Sequence, residues 1–188
     1  MGLRLFICFS ILAISPVYVL AQAEVDWRAL TLDGENRALA FFPLTFHELL
    51  DTAETAMGRI PTRTYYARDL SGVTGNRLYS LMLYDYPSGS FSADSTDRLD
   101  EFFSATIEAA SLAVAGDVKF SASTERKYPG RVFRVDFGEQ GNISRNYVYV
   151  IGDRYYHQQV VSAKQDQGTK SRERFFQSFS PLTPREEP

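Results

Sequence analysis

The chain has 188 residues, a single cysteine and a formal net charge of −3 from 20 basic and 23 acidic side chains. That near balance, with no Lys or Arg block, argues against nucleic acid or an anionic membrane as the main partner. A chain of this length is the usual size of one domain and can bury about 70 % of the surface its unfolded form exposes, so a core alone can hold it together.

The first segment reads as an address. Arg4 gives a short positive start, residues 5–20 (LFICFSILAISPVYVL) are apolar, and Ala21-Gln22-Ala23 is a small-x-small cleavage signature. Residues 1–23 are therefore expected to be a cleaved signal peptide. Pro16 interrupts the run, which is shorter than the ~20 apolar residues that span a bilayer, so no stable membrane insertion is expected after cleavage. Cys8 lies inside the run and not at the cleavage point, which argues against a lipid anchor. Residues 24–188 have no cysteine, hence neither a disulfide nor a thiol nucleophile, and carry 19 basic against 23 acidic side chains, a net of −4. A cysteine-free exported chain suits a periplasmic or secreted bacterial protein. Residues 24–180 are expected to form one domain, with residues 181–188 (PLTPREEP) as a polar tail.

Residues 37–43 (RALAFFP) predict a strand closed by Pro43. The next segment is ambiguous: Thr45-Phe46-His47-Glu48 is a capping-box pattern, and residues 49–58 favour a helix ending at Gly58. In such a helix His47, Glu48, Asp51 and Glu54 would line one side, which raises the question of a divalent metal; a solvated acidic turn is the plainer reading. Residues 62–70 and 76–86, rich in Tyr and aliphatic side chains and separated by Ser71, Gly72, Gly75 and Asn76, predict paired strands. Between Asp94 and Gly116 the period lengthens. Leu99, Phe102, Phe103, Thr106, Ile107, Ala110 and Ala113 recur every three or four residues, which predicts an amphipathic helix with N-cap oxygens on Asp94, Ser95 and Thr96 and a left-handed Gly116 at its end.

Period two then returns over residues 117–127, 132–138, 143–151 and 154–162. Their short connections make neighbours antiparallel. Pro129-Gly130 reads as a turn pair, with a backbone nest for an anion at Gly130 and Arg131 as the sharper alternative. A two-residue loop at Gly152-Asp153 sets Tyr149 against Tyr156 and Val148 against His157; if Gly138 opposes Ile143, Asp136 meets Arg145 and Arg134 meets Tyr147. One sheet face then carries Phe133, Val135, Phe137, Val148, Val150, Tyr155 and Val161 toward the helix. The other carries Arg134, Asp136, Arg145, Tyr147, Tyr149, Arg154, Tyr156 and Gln158. Its plain reading is a half-exposed surface with cross-strand pairs; its functional reading is a binding surface made by Arg134, Arg145, Tyr147, Tyr149, Arg154 and Tyr156, since Tyr and Arg dominate interface energetics. A last amphipathic stretch, residues 172–179, offers Phe175, Phe176 and Phe179 to the sheet.

The motifs FFP at 41–43, YDYP at 84–87, YPGRVFRVDF at 128–137, RNYVYVIGDRYYHQQVV at 145–161 and FFQSF at 175–179, in this order of elements, resemble the PsbP-like superfamily and its small exported bacterial members. The resemblance implies an α+β fold, an antiparallel sheet of about six strands sandwiched by helices in a PsbP-like α/β/α sandwich. It also implies a strand over residues 50–57 where the local pattern favours a helix, and the strand is the expectation adopted. What such proteins share is docking, and the resemblance carries over no catalytic residue.

The chain carries little recognisable catalytic chemistry. The chain lacks G-x-S-x-G, G-x-x-x-x-G-K-[ST], G-x-G-x-x-G and H-E-x-x-H, so neither a catalytic centre nor a cofactor is expected. His157, beside Val148 on the apolar face, reads as a satisfied core or edge histidine and not a general base. Three functions remain open: an exported noncatalytic interaction or adaptor module for a protein or envelope component, using the Tyr/Arg face or residues 87–96; a periplasmic small-ligand or metal-binding protein; and a hydrolase built on His47 or His157.

Overall fold

The computed structural model describes residues 25–32, 38–55, 57–91, 96–124, 127–165 and 169–181. The signal-peptide segment, the tail beyond Pro181 and the proposed caps Asp94 and Ser95 lie outside them. Among the described residues the elements run β1 (Arg28–Leu32), β2 (Ala38–Phe42), β3 (His47–Thr55), β4 (Gly58–Arg68), β5 (Leu78–Asp85), α1 (Thr96–Ala113), β6 (Asp117–Ser123), β7 (Gly130–Phe137), β8 (Asn142–Ile151), β9 (Arg154–Ala163), α2 (Thr169–Ser178) and β10 (Ser180–Pro181). The fold is α+β. A seven-stranded sheet runs β3-β4-β5-β9-β8-β7-β6, a three-stranded sheet runs β1-β2-β10, and every pairing is antiparallel.

Residues 47–55 form a strand although the local pattern caps a helix. The antiparallel ladder from His47↔Tyr66 to Thr55↔Gly58 satisfies the backbone that a helix would have satisfied internally, and Gly58 turns the hairpin with φ of 96°. The β8–β9 hairpin has the expected register, with Tyr149↔Tyr156 and Val148↔His157 across Gly152-Asp153. In the β7–β8 hairpin the register moves by two residues: Arg134 faces Arg145, Val132 faces Tyr147 and Asp136 faces Ile143. The loop comprises Gly138 to Gly141, both ends at positive φ, with the Gly141 N–H donating to the Gly138 carbonyl at 3.0 Å. A shift of two keeps every side chain on its face. The predicted Asp136/Arg145 and Arg134/Tyr147 opposite pairs are the casualties.

Two turn assignments change. Gly130 is a residue of the β7 ladder. A Cβ there would sit 2.3 Å from the Val148 carbonyl oxygen, so its glycine serves close strand approach and not a positive angle. The left-handed residue ending α1 is Ala115 (φ 47°), not Gly116. The Gly116 N–H reaches the Ser111 carbonyl at 3.0 Å and the Ala115 N–H that of Leu112 at 3.1 Å, the Schellman pattern. Gly116 is required for space, since a Cβ would come within 2.7 Å of Val135 Cγ1.

Alternation along β8 and β9 divides the core in two. Phe133, Val135, Val148, Val150 and Tyr155 meet Leu99 and Phe103 of α1 on one face. Tyr149, Tyr156 and Val160 point the other way, beside Tyr79 and Leu81 of β5, and are covered by Phe175 and Phe176 of α2, by Phe179 directly after it and by Leu30, Ala40 and Phe42 of the small sheet. Each such phenylalanine contributes on the order of 1.5–3 kcal/mol by burial. The second cover is thus one short helix plus a three-stranded sheet, and not helices alone. It leaves the β6–β7 side of that face open beside α2.

Candidate functional site

The open strip is a cleft of about 410 Å³ between α2 and strands β6, β7 and β8. Arg134 comes from β7, Arg145 and Tyr147 from β8, and Arg172, Phe176 and Gln177 from α2, with Phe120 of β6 at the rim. A β-bulge aims Phe120. Val118 pairs with Val135, on the α1 face, whereas Phe120 pairs with Arg134, on the cleft face, so one extra residue reverses the alternation.

The guanidinium groups are in different states. Arg134 Nε and Nη2 donate to the two Asp136 carboxylate oxygens at 2.6 and 2.7 Å, a bidentate pair along one strand. Those bonds raise Arg134 above the ordinary arginine value and, with Arg134 as largest cause, hold Asp136 below the ordinary aspartate value. Arg145 donates from Nη1 to Ser162 Oγ at 3.2 Å. Burial, then the like charges of Arg172 and Arg134, push its value down against the pull of Asp136. The Arg172 side chain is only 13 % exposed; Glu173 stands 4.0 Å from its Nη2, and its Nη1 is sealed from solvent with no hydrogen-bond partner among the described residues. Tyr147 and Phe176 form the apolar wall, their rings 4.5 Å apart.

Of the six residues expected to bind, three line this cleft: Arg134, Arg145 and Tyr147. Tyr149 and Tyr156 are corrected as surface residues. They are 1 % and 0 % exposed, with Phe179 ring centroids 5.6 and 5.1 Å away, because α2 closes over them; buried Gln158 donates to the Phe175 carbonyl at 3.1 Å. Arg154 stays near the hairpin end, ion-paired with Asp85 and 6.0 Å from the Tyr156 ring centroid. Burial opposes its charge, but Asp85 and Tyr156 outweigh burial and raise its value. Sequence reasoning missed Arg172 and the bulge. Arg172 was within reach, since it precedes Phe176 by four residues and so shares its helix face.

The remaining candidates separate. On strand β3, His47 and Asp51 point to one side and Glu48 and Glu54 to the other, so the one-sided ligand set of the helical reading does not form. Glu48 accepts from Tyr65 at 3.0 Å and Glu54 pairs with Arg59 at 2.9 Å. Among the described residues no group of three His, Cys, Asp or Glu is placed to hold a metal ion. His157 is 6 % exposed and sits 2.8 Å from Asn146 Oδ1 in a buried polar row with Ser144 and Gln159, and burial pushes it down to about 4. Of residues 87–96, the alternative docking segment expected from the sequence, Gly89 is tied to Asp153, which accepts from its N–H at 3.0 Å.

Comparison with solved structures finds the solution structure of cyanobacterial PsbP (CyanoP) from Synechocystis sp. PCC 6803, at a TM-score of 0.54 and 14 % identity, over 84 % of this chain and 94 % of that one. The fold is PsbP-like. A crystal structure of a Pseudomonas aeruginosa protein of unknown function also aligns, with a TM-score of 0.45 and 8 % identity over 73 % of this chain and 99 % of that one. No protein-family model and no curated protein matches. In this PsbP-like chain no described helix is long and apolar enough to cross a membrane.

Proposed function

We propose that this chain is an exported, noncatalytic interaction module that docks a protein partner in the cleft beside α2. The observation that carries the reading is the convergence of Arg134, Arg145 and Arg172, from three elements, beside Tyr147 and Phe176. Arg and Tyr are the side chains whose removal most often weakens an interface, and here they line a concavity instead of a flat strip. Export rests on the signature of residues 1–23. The noncatalytic reading is supported by His157, a buried ring that burial pushes down to about 4 and that does not line the cleft.

The test is site-specific photocrosslinking in the native host with a benzophenone side chain at Phe120 or Gln177, and at the exposed Leu70, which does not line the cleft, as control. Adducts specific to the two cleft positions, lost in an Arg145→Glu/Arg172→Glu background with unchanged circular dichroism, are expected. Equal adducts from Leu70, or none from the cleft, would remove the docking reading. A small-molecule ligand is the second reading, favoured by a volume of about 410 Å³, inside the usual ligand-pocket range of roughly 300–1,000 Å³.

A further inference from the structure

We infer that a second copy of this chain docks along β3, its own β3 running antiparallel about a two-fold axis at Leu49, so that the two seven-stranded sheets join edge to edge. This surface is separate from the cleft beside α2.

Among the described residues β3 is the last strand of its sheet, and its ladder with β4 is unbroken from His47 to Thr55. Thr52 faces Pro61, which has no N–H, so those two do not exchange backbone bonds. By the alternation of an antiparallel ladder, Glu48, Leu50 and Thr52 therefore turn their N–H and C=O groups outward. The opposite edge, β6, carries a bulge and Lys119, devices that discourage strand addition, whereas β3 has neither. At the middle of β3, Leu49 and Leu50 lie 53 % and 67 % exposed.

Charge selects the register. Glu48 pairs with Arg63 at 3.4 Å and Glu54 with Arg59 at 2.9 Å, so neither meets a second edge as a bare charge. Asp51 has no ion pair among the described residues; its Oδ1 accepts from the adjacent Thr52 N–H at 2.7 Å, which leaves Oδ2 for an outside donor. His47 is exposed and leans on the Tyr66 ring, centroids 5.6 Å apart. His47 and Asp51 flank Leu49 symmetrically on one face of the strand. A two-fold axis at Leu49 therefore sets each His47 opposite the partner's Asp51, and imidazole keeps an N–H for a carboxylate in either protonation state. These are non-hydrogen-bonded pairs, whose Cα atoms approach to about 4.5 Å and whose side chains lie closest, and Leu49 meets the partner's Leu49 between them. Glu48 and the partner's Leu50 exchange the backbone bonds.

The competing registers are poorer. A shift of one residue turns every side chain to the wrong face. Full overlap, centred on Asp51, stacks Asp51 on the partner's Asp51 and Glu48 on the partner's Glu54, like charges that destabilise a ladder. Centring on Leu50 puts His47 opposite the partner's Ala53 and leaves the carboxylate of Asp51 facing the partner's Leu49.

The first measurement is sedimentation velocity on the protein expressed from its full reading frame, at loadings from about 10 µM to about 2 mM. A reversible rise from monomer to dimer is expected, with a dissociation constant of roughly 0.1–1 mM, because so short a ladder falls below the ~1,200–2,000 Å² of a stable interface. A monomer at every loading would overturn the inference. Register is read by single cysteines in a Cys8→Ser background. Leu49→Cys should give a disulfide dimer on mild oxidation, since facing Cα atoms fall within the ~4.4–6.8 Å a disulfide needs, and Leu50→Cys and Asp51→Cys should give at least about tenfold less. A preference for either of those two, or no disulfide dimer at all, would overturn the register. His47→Asp should weaken the dimer about tenfold with unchanged circular dichroism, and the swap His47→Asp/Asp51→His should restore it to within about threefold. Weakening without rescue, or a dimer indifferent to every β3 substitution, would also sink the inference.

Discussion

His157 gives the sharpest stability test. Its ring is buried between Phe133 and Tyr155, at centroid distances of 6.0 and 6.1 Å, and burial lowers its value from 6.5 to about 4. In the unfolded chain the same imidazole takes up a proton near its ordinary value. Lowering the pH from 6.5 toward 4 therefore protonates the unfolded state while the native state stays neutral, and stability falls across that window and levels below it. The separation of about 2.5 pH units, at about 1.4 kcal/mol each, places the loss at about 3 kcal/mol. The Asp69 carboxyl, held below 3.8, acts only at lower pH and leaves the window clear. His157→Gln removes the titration and keeps a donor for Asn146 Oδ1, which also accepts from Gln159 Nε2 at 3.2 Å. Urea unfolding of both proteins across the window should show the variant losing about 3 kcal/mol less than the parent between its two ends. A stability difference that does not change with pH, or an imidazole resonance titrating near 6.5, would refute the reasoning.

Three further outcomes follow from the backbone and its caps. Ala115→Gly places the residue suited to φ of 47° at the Schellman position and should raise stability by about 1 kcal/mol, read from the urea midpoint. Gly130→Ala drives a Cβ into the Val148 carbonyl and the Tyr149 ring and should cost about 1–3 kcal/mol or more; an unchanged midpoint would show that β7 can retreat from β8. Burial alone would raise the Asp69 carboxyl, but bonds from the Thr74 hydroxyl and N–H at 2.7 Å, from Ser71 and from the Gly72 N–H outweigh it and hold it down. Asp69→Asn should therefore cost about 1.5–3 kcal/mol at neutral pH and nearly nothing below the Asp69 value, with faster amide exchange at residues 71–74 as the local readout.

Legibility followed the range of the interaction concerned. The order of the central strands and the inward faces of α1 and α2 were readable because period two and period three-to-four are written into neighbouring residues. Strand β1 was not, since only Leu30 and Leu32 of its five residues are buried. β10 is two residues long, and its pairing Ser180↔Leu39 depends on chain 141 residues away. Half of the expected binding surface was mislocated for a related reason. Alternation showed that Tyr147, Tyr149 and Tyr156 share a face, yet it carries no information about how far a distant helix extends across it.

By itself the sequence determined which side chains share a face of each strand and helix, the β8–β9 register across Gly152-Asp153, and the absence of the common catalytic motifs, because each is set by spacing along a short stretch of chain. Tertiary structure alone decided that α2 and the small sheet seal Tyr149 and Tyr156 inside, that a bulge turns Phe120 to the opposite side from Val118, and that Arg172 joins Arg134 and Arg145. Those outcomes depend on where elements far apart in the chain come to rest, and burial is a property of that meeting, not of any residue's own chemistry.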